Sequence, residues 1–432
     1  MTVKTFLHCF YTILLIFQTN FSFAKEKKSG YLNKDAAILF NGADIKLDSV
    51  SPPLVFINTA FENASPLNWE VNPEGAILLN LVYDHERASP NKSIYHWHFQ
   101  VQARERSDLT FIIQDYRNVY NGRSSSLISD RTKCYISRDR KKWISIPTEK
   151  VDGNGLKFNI HMEGSSLYIA SEEPYRLSDL NNLLTKISKH PLVKITPIGK
   201  TVEGRQLEII RLGNLNAPYR IFIRGRAHSS EGGGSWLLQG LINSLLQNNK
   251  DAARYLKKYC LYILPMANKD GVARGKSRFN SMGADLNRNW NKPADPILAP
   301  ENDALERWLK SMIKQGMKPH LVIDLHDDAY GGLHISRPPN VNLEQYLSNM
   351  ERFESLLYKD TWFTEGSTGA DFRDGAGSIG EGLLERYGID GCIFEVNHEW
   401  AAGLNKAPVG QDWELMGKQF SEVFFQYFSV KK

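Results

Sequence analysis

The stretch YRIFIRGRAHSSEGGGSWLLQGLINSL, residues 219–245, contains the local pattern that decides the fold. Its first residues, 219–223, are mostly apolar and predict a buried strand. Glycines 232–234 then allow a sharp turn, and the apolar spacing over 236–246 predicts a helix. A buried strand followed directly by a helix is typical of a largely parallel sheet that is covered by helices.

The same alternation continues on both sides of this stretch. A helix with its N-cap at Ser178-Asp179 is predicted before it. The further predicted strands are 259–265, 321–325 and 392–396, and the further predicted helices are 304–313, 382–387 and 413–428. We therefore expect residues 173–432 to form an α/β domain with a mixed, largely parallel sheet and helices on both faces.

The preceding segment, 52–172, has a different pattern. Short strand-like runs are separated by turn-rich pieces such as Asn121-Gly122, and the runs are 76–83, 95–103, 109–116, 134–138 and 156–162. This pattern predicts a smaller antiparallel β-sandwich. His96 and His98 alternate with Trp97 and Phe99, which favours the ordinary in–out alternation of a strand over a metal pair.

The first 24 residues have the layout of a secretory signal peptide. Lys4 precedes an apolar run over 10–17, and the small residues Ser22 and Ala24 flank a cleavage position. The run is short for a membrane span, so we expect a secreted or periplasmic protein without stable membrane insertion. Residues 25–51 are polar and predict a linker or N-terminal arm.

Composition argues against nucleic-acid binding and against a disulfide-based fold. The 432 residues carry a formal charge of +5, and no basic run is present, so nucleic-acid binding is not expected. Cys9 lies in the predicted signal peptide, which leaves three scattered cysteines. An odd and scattered set argues against a disulfide framework. The sequence does not indicate an oligomeric state.

Metal-type side chains follow the predicted strands. His228 and Glu231 lie in the turn after strand 219–223, His326 follows strand 321–325, and Glu395 lies within strand 392–396. Functional sites of such sheets gather at the carboxyl ends of the strands. An imidazole and a carboxylate from one turn, completed by a distant histidine, leave one open position, as in a catalytic zinc site.

Several motifs, in this order, resemble the M14 family of zinc carboxypeptidases. They are Ile198–Arg205 (IGKTVEGR), His228-Ser-Ser-Glu231, Leu264–Gly271 (LPMANKDG), Asp285–Trp290 (DLNRNW) and Asp324-Leu-His326. The β-rich segment that leads into Tyr168–Leu180 is similar to the cytosolic-type branch of this family, in which the catalytic domain follows a small β-sandwich. The resemblance covers nearly all of the chain after residue 24.

The resemblance implies a role for each residue that matches a family motif. His228, Glu231 and His326 would bind one zinc ion per chain, and Glu395 would be the general base that takes a proton from zinc-activated water. Arg278 would stabilise the oxyanion, with Arg274 as its competitor. Asn287 and Arg288 would bind the C-terminal carboxylate of the substrate.

Of the departures from the family pattern, one lies between the metal ligands and changes no ligand, and another affects substrate recognition. Ser229-Ser230 replaces the usual Pro-Gly between the first two ligands, without changing a ligand. Aligning Gly377-Ser378-Ile379 with the family places Phe372 where many members have a mobile tyrosine, so the hydroxyl is lost. The same alignment places Ile379 in the side-chain pocket, which favours neutral or apolar terminal residues.

These features together predict a secreted zinc metallocarboxypeptidase that removes residues from the C-termini of peptides or proteins. A peptidoglycan-peptide amidase and an N-acyl amino acid acylase of related fold are the alternatives among enzymes. Outside enzymes, the alternative is a secreted binding protein that has lost catalysis. The complete set of three ligands and Glu395 argues against this last alternative.

Overall fold

The computed structural model describes residues 53–87, 89–339, 341–368 and 377–429. The predicted signal peptide (1–24), the predicted arm (25–51) and Phe372 lie outside the described residues. By the clustering of contacts, Pro52–Lys432 form one compact unit. Every helix in the described part of the chain is too short or too polar to span a bilayer.

The first part of this unit consists of strands. They are β1 (Leu54–Asn58), β2 (Leu67–Val71), β3 (Ile77–Leu81), β4 (Asp84–His85), β5 (Lys92–Ser93), β6 (His98–Ala103), β7 (Ser107–Ile113), β8 (Arg117–Tyr120), β9 (Arg123–Ser126), β10 (Lys133–Ser137), β11 (Ile144–Pro147), β12 (Glu149–Val151), β13 (Gly155–Met162) and β14 (Ser166–Ala170). Short strands with frequent turns were expected here, and the structure has them.

The longer of these strands form a β-sandwich. Within the described ranges, one five-stranded sheet has the order β1-β6-β14-β10-β11 and the other has the order β12-β13-β7-β3-β2. Alternate residues of β6, β7 and β13 point inward, and Trp97 stacks on Phe158 between the sheets with ring centroids 5.6 Å apart. The strand pairs are antiparallel except for β3 with β7, which run parallel.

The second part alternates strands and helices. Its strands are β15 (Val193–Lys200), β16 (Gln206–Leu212), β17 (Tyr219–Gly225), β18 (Tyr259–Leu264), β19 (Leu321–Asp328), β20 (Gly332–Ile335), β21 (Ser367–Thr368) and β22 (Gly391–Asn397). Its helices are α1 (Leu177–Ile187), α2 (Gly233–Leu245), α3 (Lys250–Lys258), α4 (Lys269–Ala273), α5 (Pro300–Lys314), α6 (Glu344–Asp360), α7 (Ile379–Tyr387) and α8 (Gly410–Tyr427).

The strands of the second part form one mixed sheet with the order β15-β16-β18-β17-β19-β22-β20-β21 in the described residues. Its central strands β18, β17, β19 and β22 are parallel neighbours. Ile221 and Ile223 face a cluster that contains residues of α2, α6 and α8, whereas Phe222 faces a cluster with residues of α5 and α7. The expected α/β fold with helices on both faces is confirmed.

Helix α1 begins differently from the prediction of an N-cap at Ser178-Asp179. The helix starts at Leu177, and Arg176 is the residue before it. Asp179 lies at the third helical position, where its Oδ2 accepts a hydrogen bond from the backbone N–H of Arg176 at 2.9 Å. A carboxylate at this position satisfies a free backbone amide, just as an N-cap side chain does. The sequence therefore correctly indicated a capping side chain, but the helix begins before the predicted N-cap.

The β-rich part fixes the loop that carries Arg278. Asp84 of β4 accepts hydrogen bonds from the backbone N–H groups of Arg278 and Phe279, each at 2.8 Å. The side chain of Ser277 accepts a hydrogen bond from the backbone of His96 at 3.0 Å. These contacts between the strands before residue 170 and the loop after α4 hold one wall of the functional site.

Candidate metal centre and active-site cleft

Three side chains from two strand ends converge on one point. The ligand atoms of His228, Glu231 and His326 all lie within 4.8 Å of one another. The Nδ1 atoms of the two histidines are 3.1 Å apart, and each lies 2.6 Å from one carboxylate oxygen of Glu231. Two imidazole nitrogens and a carboxylate are the donor set of many catalytic zinc sites, so these residues fit a zinc ion.

Carboxylates hold the outer nitrogens of both histidines. His228 Nε2 lies 3.1 Å from Asp285 Oδ1, and His326 Nε2 lies 2.7 Å from Asp324 Oδ2. A carboxylate behind a ligating imidazole fixes the ring and makes the inner nitrogen a better ligand. This arrangement is a second observation in favour of a metal at the point where the Nδ1 atoms meet.

Buried charges behind the site shift the pKa values of these groups. Burial raises the pKa of Asp324, but the Arg224 charge and His326 outweigh it and hold that pKa at about 2. Burial lowers the pKa of His326, but Asp324 and Glu231 outweigh it and raise that pKa well above its ordinary value. Burial raises the pKa of Glu231, but His228 and His326 outweigh it and lower that pKa, so Asp324 and Glu231 both stay charged near neutral pH.

Glu395 lines the same cleft as His228 and Glu231. It stands in β22 directly opposite His326 of β19 in the parallel register. Its Oε2 is buried and has no hydrogen-bond partner among the described residues. Burial raises the pKa of Glu395 well above its ordinary value. A carboxylate with a free oxygen beside a metal-type site is placed to exchange a proton with a reacting group.

The structure separates Arg278 from Arg274. Arg278 lines the cleft, and its guanidinium pairs with Asp285 at 2.7 Å, while its Nη1 lies 3.5 Å from His228 Nδ1. The guanidinium of Arg274 is largely exposed and pairs with Glu203, and Arg274 does not line this cleft. Of the two arginines, Arg278 is therefore the one beside the ligand set.

Arg288 and Asn287 line the cleft in different ways. The half-buried Arg288 donates from Nη1 to the carbonyl oxygen of Asn287 at 2.8 Å, and no carboxylate among the described residues is close enough to pair with it. Asn287 is buried, and its Oδ1 accepts from Arg224 at 3.1 Å and from the backbone of Ile379 at 3.0 Å. The guanidinium of Arg288 is thus more available to a ligand than the amide of Asn287.

Ile379, which the sequence places in the side-chain pocket, does not line the described cleft. Ile379 is fully buried in the apolar cluster beneath α7, and the cleft wall contains Ile393 of β22 and His334 of β20 instead. The sequence did not single out these two residues. They lie on neighbouring antiparallel strands and are paired in register, so both side chains reach the cleft.

The β-rich part also contributes to the cleft, which the sequence did not indicate. Tyr95 and Asn118 are among the lining residues. The ring of Tyr120, at the end of β8, lies 5.2 Å from the guanidinium of Arg278 and 5.9 Å from that of Arg288. Contacts between segments this far apart in the chain leave no local pattern in the sequence. Asp324, by contrast, could have been found, because residues two apart on a strand share a face with His326.

The fold and the candidate ligand set resemble those of metallopeptidases. Residues 180–327 match the profile of the zinc carboxypeptidase family, M14. This range contains His228, Glu231 and His326. This part of the chain is therefore similar to the zinc carboxypeptidase family, in agreement with the resemblance of its motifs.

Curated relatives support the same family. Cytosolic carboxypeptidase 6 of Caenorhabditis elegans is 31% identical over 264 residues, which cover 59% of this chain and 52% of that protein. Human cytosolic carboxypeptidase 1 is 40% identical over 110 residues, 26% of this chain and 8% of that protein. The chain spans about half or less of the length of these relatives.

Solved structures share the fold over a much larger part of the chain. A metallo-carboxypeptidase from Burkholderia cenocepacia superimposes with a TM-score of 0.75 at 20% identity, covering 86% of this chain and 98% of that one. A metallo-carboxypeptidase from Pseudomonas aeruginosa, in complex with (2-guanidinoethylmercapto)succinic acid, gives 0.72 at 19% identity, with 85% and 98% coverage. The likeness therefore extends over both the β-rich part and the α/β part.

Proposed function

We propose that this protein is a zinc-dependent metallocarboxypeptidase that hydrolyses the C-terminal peptide bond of peptides or proteins. The observation that carries the proposal is the guanidinium of Arg288, which pairs with no carboxylate of the described residues and lines the same cleft as His228 and Glu231. A guanidinium binds a carboxylate through two parallel hydrogen bonds. Beside a hydrolytic centre, it would select the end of a chain that has a free carboxylate.

His228, Glu231 and His326 would hold the zinc ion. When bound, zinc polarises a carbonyl group and makes water more acidic and hence nucleophilic near neutral pH. Asp285 and Asp324 would keep the two imidazoles in the orientation that directs Nδ1 toward the ion. The surrounding side chains would then orient the substrate and move protons.

Glu395 would act as the general base. Its free Oε2 would take a proton from the attacking water as the oxygen bonds to the carbonyl carbon, and would return that proton to the leaving amine when the C–N bond breaks. The products are a shortened chain with a new carboxylate and a free amino acid. The raised pKa of Glu395 suits a group that must both accept and donate a proton.

Arg278 would stabilise the negative charge that develops on the carbonyl oxygen. Its guanidinium is held by the carboxylate of Asp285 and by stacking against Tyr120, so its position is set before substrate binds. A preorganised donor costs little reorganisation at the moment of reaction. Arg288 and Asn287 would bind the terminal carboxylate on the far side of the cleaved bond. Phe372 would take the place of the mobile tyrosine of many family members, without its hydroxyl.

Two related hydrolytic functions remain as alternatives. A peptidoglycan-peptide amidase or an N-acyl amino acid acylase would use the same ligands and the same base. Both also recognise carboxylates, but they would differ in the group on the acyl side of the cleaved bond. The availability of Arg288 favours recognition of a terminal carboxylate but does not distinguish between acyl groups. The similarity to zinc carboxypeptidases favours a peptide substrate. A binding protein without catalysis is disfavoured because Glu395 and its free oxygen are retained.

We also propose a secreted or periplasmic location, supported by the layout of residues 1–24. The named relatives are cytosolic carboxypeptidases, so this protein would carry a related domain in another compartment. We further propose a division at residues 172 and 173 between the β-sandwich domain and the carboxypeptidase domain. Amino-terminal sequencing of the exported protein would test the location.

Product analysis with a mixed peptide library tests the function. The purified full chain is incubated with free-acid peptides that differ in their last residue, and in parallel with peptidoglycan-derived peptides and N-acyl amino acids. Mass spectrometry should show the loss of single C-terminal residues from the library, abolished by a chelator and restored by zinc. Cleavage of only the cell-wall peptides or only the acylated amino acids would replace the carboxypeptidase proposal with the corresponding alternative.

A further inference from the structure

A second group of metal-type side chains lies behind the turn that carries Glu231. It comprises Glu172, which follows β14, Asp327 of β19, and His398, which follows β22; we call it the rear cluster. Their ligand atoms all lie within 4.8 Å of one another. The three residues are buried, with relative exposures of 5%, 3% and 8%. His326 and Asp327 are consecutive in β19, so their side chains leave the strand on opposite faces.

Each carboxylate of the rear cluster has one oxygen held and one oxygen free. Glu172 Oε1 accepts a hydrogen bond from the backbone N–H of Gly232 at 2.7 Å, and Asp327 Oδ2 accepts one from Gly233 at 2.6 Å. The other oxygens, Glu172 Oε2 and Asp327 Oδ1, are buried without a hydrogen-bond partner among the described residues. Buried carboxylate oxygens that lack any partner are costly, which points to a ligand.

His398 presents a third free atom to the same place. Its Nδ1 is buried and makes no hydrogen bond to the described residues. This atom lies 3.3 Å from Asp327 Oδ1, within ion-pair distance but outside hydrogen-bond geometry. The other ring nitrogen, Nε2, lies 2.5 Å from the hydroxyl of Tyr95. A proton on Nε2, donated to Tyr95, would leave the lone pair of Nδ1 directed at the carboxylates, as in a ligating histidine.

No lysine or arginine in the described part of the chain neutralises these carboxylates by direct pairing. The charge of Arg226 acts on Glu172 and Asp327, but its side chain donates hydrogen bonds to the carbonyl oxygens of Ser229 and Tyr175 at 3.0 and 3.3 Å. Burial and the neighbouring charge of Asp327 raise the pKa of Glu172 to about 8. Two carboxylates that repel each other in a buried space are stabilised when a cation lies between them.

We propose that Glu172 Oε2, Asp327 Oδ1 and His398 Nδ1 bind a second divalent cation. Two carboxylates and one imidazole favour zinc over calcium or magnesium, which take oxygen ligands. The ion would join the end of the β-rich part to β19 and to the segment after β22. Through Gly232 and Gly233, its ligands would also hold the turn that positions Glu231. The sequence predicts one zinc ion per chain, and this site would add another.

Metal analysis of the full chain tests the proposal. The protein is purified without chelator, dialysed against metal-free buffer, and measured for bound metal per chain by mass spectrometry. We expect about two ions in the wild type and about one in Glu172→Gln, whose amide oxygen can still accept from Gly232. His228→Ala should also retain about one ion, and the double variant should retain almost none. Glu173→Gln, at the neighbouring buried carboxylate, is the matched control and should retain two.

The pattern of losses distinguishes this proposal from the proposed function. The second site is overturned if the wild type and Glu172→Gln bind the same number of ions per chain, whether that number is one or two. If His228→Ala keeps both ions while Glu172→Gln loses one, the catalytic ligand assignment fails and the second site stands.

A thermal shift measurement covers the case in which a variant folds poorly. Zinc added to chelator-treated His228→Ala should raise its melting temperature, because only the rear cluster remains to bind the ion. The double variant Glu172→Gln/His228→Ala should not respond. An equal rise in both proteins would show that zinc binds elsewhere and would contradict the proposal.

Discussion

His326 Nε2 lies 2.7 Å from Oδ2 of Asp324, two residues earlier on the same strand. Behind this contact, both Nε and Nη2 of Arg224 donate to Asp324 at 2.6 Å, and all three side chains are fully buried. The charge of Arg224 keeps Asp324 ionised, and Asp324 in turn fixes the imidazole whose Nδ1 faces Glu231. The position of His326, a proposed metal ligand, is thus determined by a buried ion pair on two neighbouring strands.

Changing Asp324 to Asn should weaken zinc binding by about 10–100-fold, because the amide is a poorer acceptor behind the imidazole. The change should also destabilise the fold by about 3–5 kcal/mol, since Arg224 loses its buried partner. Competition with a coloured chelator measures the first effect, and denaturation of the metal-free protein measures the second. Asp303→Asn, in the surface pair with Arg307, is the control and should change neither. Unchanged zinc affinity in Asp324→Asn would contradict the orienting role.

Glu395→Gln should retain zinc and reduce kcat by at least about 100-fold, because the amide keeps the shape but cannot accept the proton. Glu231→Gln should instead lower zinc occupancy, since Glu231 lies against both histidines. Zinc content and single-turnover rates measured on the same preparations separate the two roles. Loss of metal from Glu395→Gln in proportion to its loss of activity would show that Glu395 holds the metal and is not the general base.

The sequence predicted the parallel core of the sheet well, and it also singled out candidate metal ligands, because both depend on local signals. Continuous apolar runs such as 219–223 define buried strands, and His228 and Glu231 lie in one turn. Arg278 and Glu395 were found through the motifs and their order along the chain. The structure brings His228, Glu231, Arg278 and Glu395 into one cleft, and the buried His326 contacts Glu231 beside it.

The remaining features depend on tertiary contacts. Helix α6 (Glu344–Asp360) was not predicted, since many of its residues are polar and only a narrow apolar stripe, including Met350 and Phe353, is buried. Ile393 and His334 reach the cleft because β20 pairs with β22, a partnership that no sequence spacing indicates. The rear cluster joins three segments separated by many residues, so its members carry no shared motif.

Glu173 should make the stability of the protein depend on pH. Burial raises its pKa to about 7, so the folded state binds a proton that the unfolded state releases at lower pH. The contribution of Glu173 to the free energy of unfolding is therefore fully present below the pKa that Glu173 has in the unfolded chain. It is lost as the pH rises through about 7. Above that pH, Glu173→Gln should be more stable than the wild type, by up to about 3 kcal/mol.

The difference in unfolding free energy between wild type and Glu173→Gln should be measured from pH 4.5 to pH 8.5, with roughly constant ionic strength. Glu203→Gln is a control of opposite sign, because hydrogen bonds from Arg205, Ser281 and Arg274 outweigh burial and hold the pKa of Glu203 at about 2. A difference for Glu173→Gln that does not change with pH would contradict the raised pKa.

Gly417→Ala should destabilise the fold by about 1–3 kcal/mol or more, because α8 crosses α2 at this glycine. A Cβ there would overlap the carbonyl oxygen of Leu237, and a Cβ at Gly240 would overlap that of Glu414. The backbone of one helix leaves no room for the other to move. Gly164→Ala, where a Cβ meets no atom within 4 Å, is the control for urea denaturation. Equal stability of the two variants would show that the helices separate easily.

Arg288 provides the sharpest test of which end of the substrate is recognised. Charge-assisted hydrogen bonds contribute about 1.5–3 kcal/mol each, or about one to two decades in rate per bond. Arg288→Lys should therefore be nearly as damaging to kcat/KM as Arg288→Ala, because an ammonium keeps the charge but not the planar pair of donors. Arg274→Lys, at an exposed arginine outside the cleft, is the matched control and should retain wild-type activity.

The same contact predicts discrimination between two forms of one peptide. The wild type should cleave a free-acid peptide at least about ten times faster than its C-terminally amidated form, since the amide offers Arg288 only one acceptor and no charge. In Arg288→Ala this ratio should fall toward one, with zinc content unchanged. Equal wild-type rates for the acid and the amide would show that Arg288 does not bind a terminal carboxylate. The broader amidase function would then explain the site better, because it needs the metal ligands and Glu395 but no anchor for a chain end.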